Sequence, residues 1–546
     1  MRLNPEERIK QQLVAQRELA KRAQERSREA AAAVEQAPEQ EKGRMGRLAG
    51  MRKAQLARIT NKLERLEREL AQLQAPGGAV LPRRARGRRG RAPQTAVILA
   101  AGLGSRTWPY SETRQKAAMP VANRPLIRRT VDDLRAMGVQ QVVVVVGYLQ
   151  EQVRSALGDD VVYVEQANPG AGSANALLCA ADHLQGDDLL VLYGDVACAP
   201  ENLEALAAKF RETGAEAAAL VQTLPMDEVC DDWICAGVAA DKLRGIHGHG
   251  RHGNTRITGI YALRRSALSY VRRNPGIVRH VGVGGMPPLE AELAESIQMM
   301  VDEGREVAAA ATVDYLVDLD KPWHILDANR AAVDYLFRQT PQDRIARGAR
   351  ISNKASINGR LIAEEGAVVG DGTFLEGNIY LGAHSEVSRG AMLENVMLGP
   401  HTRARDFCLA HGAVVGERGL LGHGAEFGGV MFDRVYLYHY CEMAGVIGSA
   451  TDVGAACVCG TIRFDDGDVN MEIKGRRERA RHSGATYIGD YCRAGVNAIF
   501  MPGSRVGPWS CIGPGVVVYD TLPSRSLVLV KQELVTKPWG PEKYGW

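Results

Sequence analysis

Two glycines, an arginine and a lysine stand close together in this 546-residue chain, in Gly102-Leu103-Gly104-Ser105-Arg106 and at Lys116. The apolar run before them, Ala96 to Ala101, has the character of a buried parallel strand. The glycines let the chain turn sharply after it and let backbone come close to a ligand. Successive N–H groups in such a turn form a concavity that binds anions. Arg106 adds a planar fork for phosphate oxygens and Lys116 a mobile point charge. The set predicts phosphate binding. A dinucleotide fingerprint does not fit, because Thr107 occupies the place of its third glycine, and no Gly-Lys-Ser/Thr follows to make a P-loop. Further on, the apolar run Leu189–Tyr193 ends in Gly194-Asp195-Val196. A carboxylate placed after glycine at a strand end is suited to hold Mg2+ against phosphates.

The elements that must position these groups follow from patterning. Between residues 95 and 345, apolar strands (Ala96–Ala101, Gln141–Val146, Val161–Val164, Leu189–Tyr193, Ala217–Gln222, Ile257–Leu263) alternate with more polar helical segments such as Pro125–Met137 and Ser173–Leu184. That alternation predicts a Rossmann-like, three-layer α/β domain with a mostly parallel sheet and ligands at the strands' carboxyl ends. From Ile351 the period becomes six: Ile351, Ile357, Ala363, Val369, Leu375, Leu381, Val387 and Leu393, resuming later through Ile488, Phe500, Val506, Ile512 and Val518. A six-residue period predicts a parallel β-helix over 346–525, and 526–546 forms an aromatic tail.

Residues 1–75 are rich in Ala, Glu, Gln, Lys and Arg, and Leu56, Ile59, Leu63, Leu66, Leu70 and Leu73 form a heptad seam that predicts a coiled coil. Residues 76–94 read as an arginine-rich linker. Net charge is only +4, and six arginines lie between Arg83 and Arg91, so the basic character is local. No aromatic residue interleaves them, which disfavours nucleic acid as a partner. Ten scattered cysteines without a CxxC pair, no apolar leader and no run long enough to span a membrane predict a cytoplasmic protein with reduced thiols.

The run L-A-A-G-x-G-S-R-x-x-P, then Lys116 and P-V-x-N-x-P-L, resembles the signature of sugar-1-phosphate nucleotidyltransferases. The resemblance implies that Leu99, Ala100, Ala101, Gly102, Gly104 and Ser105 line the nucleotide and that Arg106 and Lys116 are catalytic. It further implies that Gln166, Gly172 and Ser173 read the base beside Gly194, and that Asp195 and Asp318 hold Mg2+, with Asp320 in reserve. On the sugar side the chain departs from the family. His247 and His249 occupy the region of its Glu-Lys pair, and Ile257 stands for its Asn, with Asn254 or Arg256 as substitutes. Glycine-separated histidines (His247, His249, His252) read as a solvent loop.

Gly460–Lys474 (GTIRFDDGDVNMEIK) is similar to one branch of the bifunctional GlmU-type proteins, whose left-handed β-helix acetylates glucosamine 1-phosphate with acetyl-CoA. β-Helix domains of this kind commonly form trimers, so the resemblance implies a homo-oligomer. The acetyltransferase pattern is altered: Tyr438 falls where the base His belongs, His439 is adjacent, and Lys474 keeps the place of a functional lysine. Tyrosine, with an ordinary pKa of about 10, is a poor base. The expectation is transfer of a nucleotidyl group from an NTP, UTP favoured, to a sugar 1-phosphate, N-acetylglucosamine 1-phosphate favoured. The alternatives are a bifunctional protein and a non-catalytic, sugar-nucleotide-binding paralogue.

Overall fold

The computed structural model describes residues 92–540, apart from 225–232, 248–253, 278–289 and 483, and scattered positions between 13 and 32. Residues 1–89 and 90–546 are separate compact units. In the first, the described positions are helical, and Glu18 and Arg22, one turn apart, pair at 3.2 Å. The heptad seam, the arginine run, His249, His252 and the tail beyond residue 540 lie outside the described residues.

In the second unit, nine strands build the main sheet: β1 Thr95–Ala100, β2 Gln141–Val146, β3 Val162–Glu165, β4 Asp188–Tyr193, β5 Ala217–Thr223, β6 Cys235–Ala239, β7 Lys242–His247, β8 Thr255–Arg264 and β9 Val307–Ala311. Their order is β3-β2-β1-β4-β8-β5-β9-β7-β6. The half around β1 is parallel, as the continuous apolar runs predict, because both faces are covered. The other half is mixed: β8 runs antiparallel to β4 and β5, and β7 to β9. Strand order reverses at the β1–β4 pair, and a crevice at such a switch point is where open α/β sheets bind ligands. Two apolar layers flank the sheet; Val97, Val143 and Leu189 face one, and Ile98, Val144 and Leu190 the other.

A helix at His324–Gln339 leads into a parallel β-helix that begins with Arg344–Ile345. Its inward column is the six-residue series: Val369, Leu381, Val387, Leu421, Phe427, Val453, Phe500 and Ile512 are buried in one core, whereas Ile357 is 39% exposed. Equivalent positions pair between coils, as Val369 with Val387 and Leu421 with Leu437. One coil is interrupted. Val453 pairs with Ala494, and the extra chain between them contains a hairpin, Asn470–Ile473 with Arg476–Arg479. Its two-residue turn is Lys474-Gly475, both at positive φ (49° and 74°), the twist that tight hairpins demand.

The α/β domain and the β-helix are not beads on a linker. Tyr110, Met119, Trp323 and Phe337 from one side share a core with Ile362, Val430, Phe432, Met471 and Tyr487 from the other. The nine described cysteines are free, with Cys457 and Cys459 both buried in the β-helix.

Candidate active site

The loop after β1 is shaped by its own lysine. Gly104 sits at φ 62°, ψ 26°, and a Cβ there would lie 2.5 Å from Cγ and Cδ of Lys116. Glycine at 104 is therefore required both by the left-handed conformation and by the lysine stem crossing it. Gln115 anchors the segment from below: buried, it donates through Nε2 to the Ala100 carbonyl at 2.7 Å, and its backbone N–H donates to Gln152 Oε1 at 2.8 Å. Gln115 is a positioning residue that the sequence reading missed, since a single Gln carries no spacing signal.

Lys116 is thereby aimed at the end of β4. Its Nζ lies 2.5 Å from Asp195 Oδ2 and 3.9 Å from Asp320 Oδ1, and Arg106 Nη2 is 2.9 Å from the same Asp320 oxygen. Asp195 follows Gly194, whose N–H donates to the Leu99 carbonyl at 2.9 Å; a Cβ at 194 would meet that carbonyl and Ala117 at about 3 Å. Asp318 ends a short strand, Leu316–Asp318, that pairs with Val196–Cys198 and is locked by the Leu319 N–H to Asp195 carbonyl bond at 2.9 Å. The structure thus brings Arg106, Lys116, Asp195, Asp318 and Asp320 together.

The charges in this cluster are not evenly balanced. Burial alone would lower the pKa of Lys116, but Asp195, Asp320 and Asp318 outweigh it and raise the pKa. Burial opposes ionisation of Asp320, yet Lys116, Arg106 and Lys321 together hold its carboxyl below the usual range. Asp318 goes the other way: burial first, then the neighbouring Asp195, push it up to about 6. Asp195 pairs with Lys116, and Asp320 with Arg106 and Lys321, which leaves Asp318 short of positive charge. Among the described residues no group of three or more His, Cys, Asp and Glu side chains is arranged to hold a metal. Two carboxylates nevertheless fit Mg2+, which keeps several waters and takes further oxygens from substrate phosphates.

On the base side, Gln166 and Gly172 meet. Buried Gln166 donates through Nε2 to the Gly172 carbonyl at 3.2 Å and to Asn175 Oδ1 at 3.0 Å. Gly172, at φ 93°, lies so close to Ala291 that a Cβ would come within 2.6 Å of its backbone. Ser173 is engaged inward: its hydroxyl donates to Glu292 Oε2 at 2.7 Å and accepts from Tyr193 Oη at 2.8 Å and from the Leu293 N–H at 2.8 Å. Burial raises the Glu292 carboxyl above its ordinary value. Glu292 was not legible in the sequence, because its partners lie far away along the chain.

On the acceptor side, a cavity of about 220 Å3 opens beside Asp318, lined by Gln222, Trp233, Arg256, His324, Asp327 and Arg481 among others. Arg256, 2% exposed, donates through Nε to Gln222 Oε1 at 2.8 Å and stacks 4.3 Å from the Trp233 ring centroid. Asn254 instead caps the Leu224 backbone, at 3.2 Å, and His247 is exposed. His324 Nδ1 accepts from the backbone N–H groups of Asp320 and Lys321, both at 3.2 Å, and burial lowers the imidazole to about 4. It is therefore neutral, with its proton on Nε2.

The other candidate residues lie apart. Tyr438, His439 and Tyr440 form an exposed corner between coils rather than a strand. His439 stacks on His423 at 5.2 Å. Lys474 is exposed at the hairpin tip.

A MobA-like NTP transferase domain matches residues 96–262. The chain is 26% identical over 429 residues to a bifunctional sugar-1-phosphate nucleotidylyltransferase/acetyltransferase of Sulfurisphaera tokodaii, covering 78% of this chain and 96% of that protein. It is 25% identical to a bifunctional GlmU protein of Methanococcus maripaludis, over 81% of this chain and 98% of the relative. A glucose-1-phosphate thymidylyltransferase of Streptomyces griseus is 26% identical over 61% of this chain and 89% of its own length. Most of the chain is thus homologous to GlmU-type and other sugar-1-phosphate nucleotidyltransferases.

Proposed function

We propose that this protein is a Mg2+-dependent sugar-1-phosphate nucleotidyltransferase of the GlmU type, with UTP and N-acetylglucosamine 1-phosphate as its favoured pair. The observation that carries the reading is the charge cluster at the β1–β4 switch point: Arg106 and Lys116 on Asp320 and Asp195, with Asp318 beside them. Two phosphorylated substrates repel each other. At about 4 Å and an effective dielectric of about 20, each unit-charge pair costs roughly 4 kcal/mol. Arg106 and Lys116 offset that repulsion and orient the triphosphate, and the glycine turn offers its N–H groups to the phosphates. An anionic oxygen of the sugar phosphate attacks the α-phosphorus in line. A new P–O bond forms, the α–β P–O bond breaks, and pyrophosphate leaves with the electron pair. No protein nucleophile is needed. Asp195 and Asp318 would hold Mg2+, which neutralises phosphate charge when bound.

Acetyl transfer is a second reading, favoured by the relative whose name carries it and by the paired imidazoles of His423 and His439. One assay separates the readings: pyrophosphate release from each NTP with each hexose and hexosamine 1-phosphate, beside free-CoA release from acetyl-CoA and glucosamine 1-phosphate. Pyrophosphate without CoA leaves the β-helix as a scaffold. Silence in both, with folded protein, overturns the enzyme reading in favour of a sugar-nucleotide-binding paralogue. Asp195→Asn is expected to abolish pyrophosphate release, and unchanged turnover would remove Asp195 from the reaction.

A further inference from the structure

The coil that breaks the β-helix repeat sends its polar side chains to the nucleotidyltransferase site. The hairpin's inward residues Met471 and Ile473, with Val469 and Ala480, are buried in the core shared with Trp323. This fixes the returning strand against the start of the His324–Gln339 helix. From that strand Glu478 Oε2 reaches Lys321 Nζ at 2.5 Å, and Lys321, itself 1% exposed, stands 3.5 Å from Asp320 Oδ2. Just beyond it, His482 Nε2 pairs with Asp327 Oδ1 at 2.8 Å. Arg481, between them, lies 5.6 Å from the Trp233 ring centroid, the same ring that Arg256 covers. Arg481 also lines the cavity beside Asp318.

We propose that this excursion of the β-helix is the acceptor-side wall of the nucleotidyl-transfer site, with Arg481 contacting the bound sugar phosphate and Glu478 positioning Asp320 through Lys321. The inference rests on the nucleotidyltransferase reading and adds to it a specificity residue and a positioning residue from the second half of the chain. The cavity suits the acceptor and not the nucleotide. At about 220 Å3 it is smaller than the ~300–1,000 Å3 of sites for drug-sized ligands. Its polar walls, Gln222, Asp318, Asp327 and the two guanidinium groups, match a single polyhydroxylated ring carrying an anionic group. It adjoins Asp318, where the attacking phosphate must come.

The test uses the full chain and steady-state kinetics with the best substrate pair. Arg481→Ala is expected to raise KM for the sugar 1-phosphate about tenfold and leave KM for the NTP within about twofold. Arg481→Met, which keeps a long stem over Trp233, gives the same split if the alanine variant does not fold. Glu478→Gln is expected to lower kcat about tenfold with both KM values within about twofold of the parent, and Glu478→Asp to restore most of it. An acceptor KM within twofold of the parent in both Arg481 variants overturns the acceptor-wall assignment while the enzyme reading stands. Unchanged kcat in Glu478→Gln overturns the positioning role. If the parent protein turns over no pair, the reading beneath both fails.

Discussion

The molecule carries two clusters that could do chemistry, and they are built in opposite ways. At the β1–β4 switch point, charges from three separate stretches (Arg106 and Lys116 on the loop after β1, Asp195, and Asp320) converge within ion-pairing distance. At the β-helix corner, His423 and His439 are equivalent positions of neighbouring coils, as are His384 and His401, also stacked at 5.2 Å. A repeat stacks like on like and leaves the corner open to solvent. Convergence requires an irregular loop and a reversal of strand order, and it yields fixed charges of both signs in a partly dry crevice. The difference teaches where turnover is to be sought: where the fold departs from its own regularity. The interrupted coil at Val453–Ala494 is such a departure inside the repeat, and it points back at the first cluster.

Removing the lysine strikes the comparison hardest. Lys116→Ala deletes the cation that lies 2.5 Å from Asp195 and is expected to cut kcat for pyrophosphate release by about 10³-fold, in the range lost with one preorganised electrostatic group. The melting temperature should fall as well, because Asp195 and the buried Asp320 lose a counter-charge. A loss below tenfold would move the chemistry elsewhere. Gly104→Ala is the next largest: a Cβ 2.5 Å from the Lys116 stem at φ 62° must displace that side chain. A loss of about 10- to 100-fold in kcat is expected, with folding retained.

Much of this was legible beforehand, for physical reasons. The turn after β1 had to be glycine and to end in a cation if it bound phosphate, and the six-residue period admits hardly any fold but a β-helix. β6, β7 and β9 escaped notice: β6 and β7 are half exposed and glycine-interrupted, and β9 is built largely of alanine. The antiparallel setting of β8, a strand that the pattern did show, was not legible either, because an apolar run does not give its own direction in a sheet. Asp320 was placed behind Asp318, yet Asp320 makes the ion pairs, since the turn after Leu319 rather than strand alternation directs it inward. Glu478 and Arg481 could not have been found, because their contacts join segments far apart in the chain.

Acidity sharpens the charge argument. His324 is buried and neutral, with its pKa lowered to about 4 from 6.5, so the folded chain binds fewer protons there and stability rises with pH between about 4 and 6.5. Asp318 acts in the opposite sense. Its carboxyl titrates at about 6 when folded and at 3.8 when free, so stability falls as pH rises across that window. The two slopes oppose each other in metal-free protein. Asp318→Asn removes the second and should leave a steeper rise with pH, and at pH 7 without metal it should melt a few degrees above the parent. Mg2+ should then stabilise the parent and not the variant. Equal melting curves for the two at pH 7 would contradict the charge deficit assigned to Asp318.

The smallest effect is the one that isolates the second cluster. His439→Ala removes an exposed ring stacked on another exposed ring, with no hydrogen bond to the active-site loop. Surface substitutions of this kind change stability by about 0.5 kcal/mol or less. Pyrophosphate release should therefore stay within about twofold of the parent. CoA release, if the parent shows it, should fall, because His439 is one of two imidazoles at that corner, with His423, and an imidazole can take an amine proton near neutral pH. Retained CoA release would shift the acetyl reading away from His439 and onto another coil. A fall in pyrophosphate release would mean that the two clusters communicate, and the contrast between a converged site and a stacked ladder would then fail as a guide to where this molecule reacts.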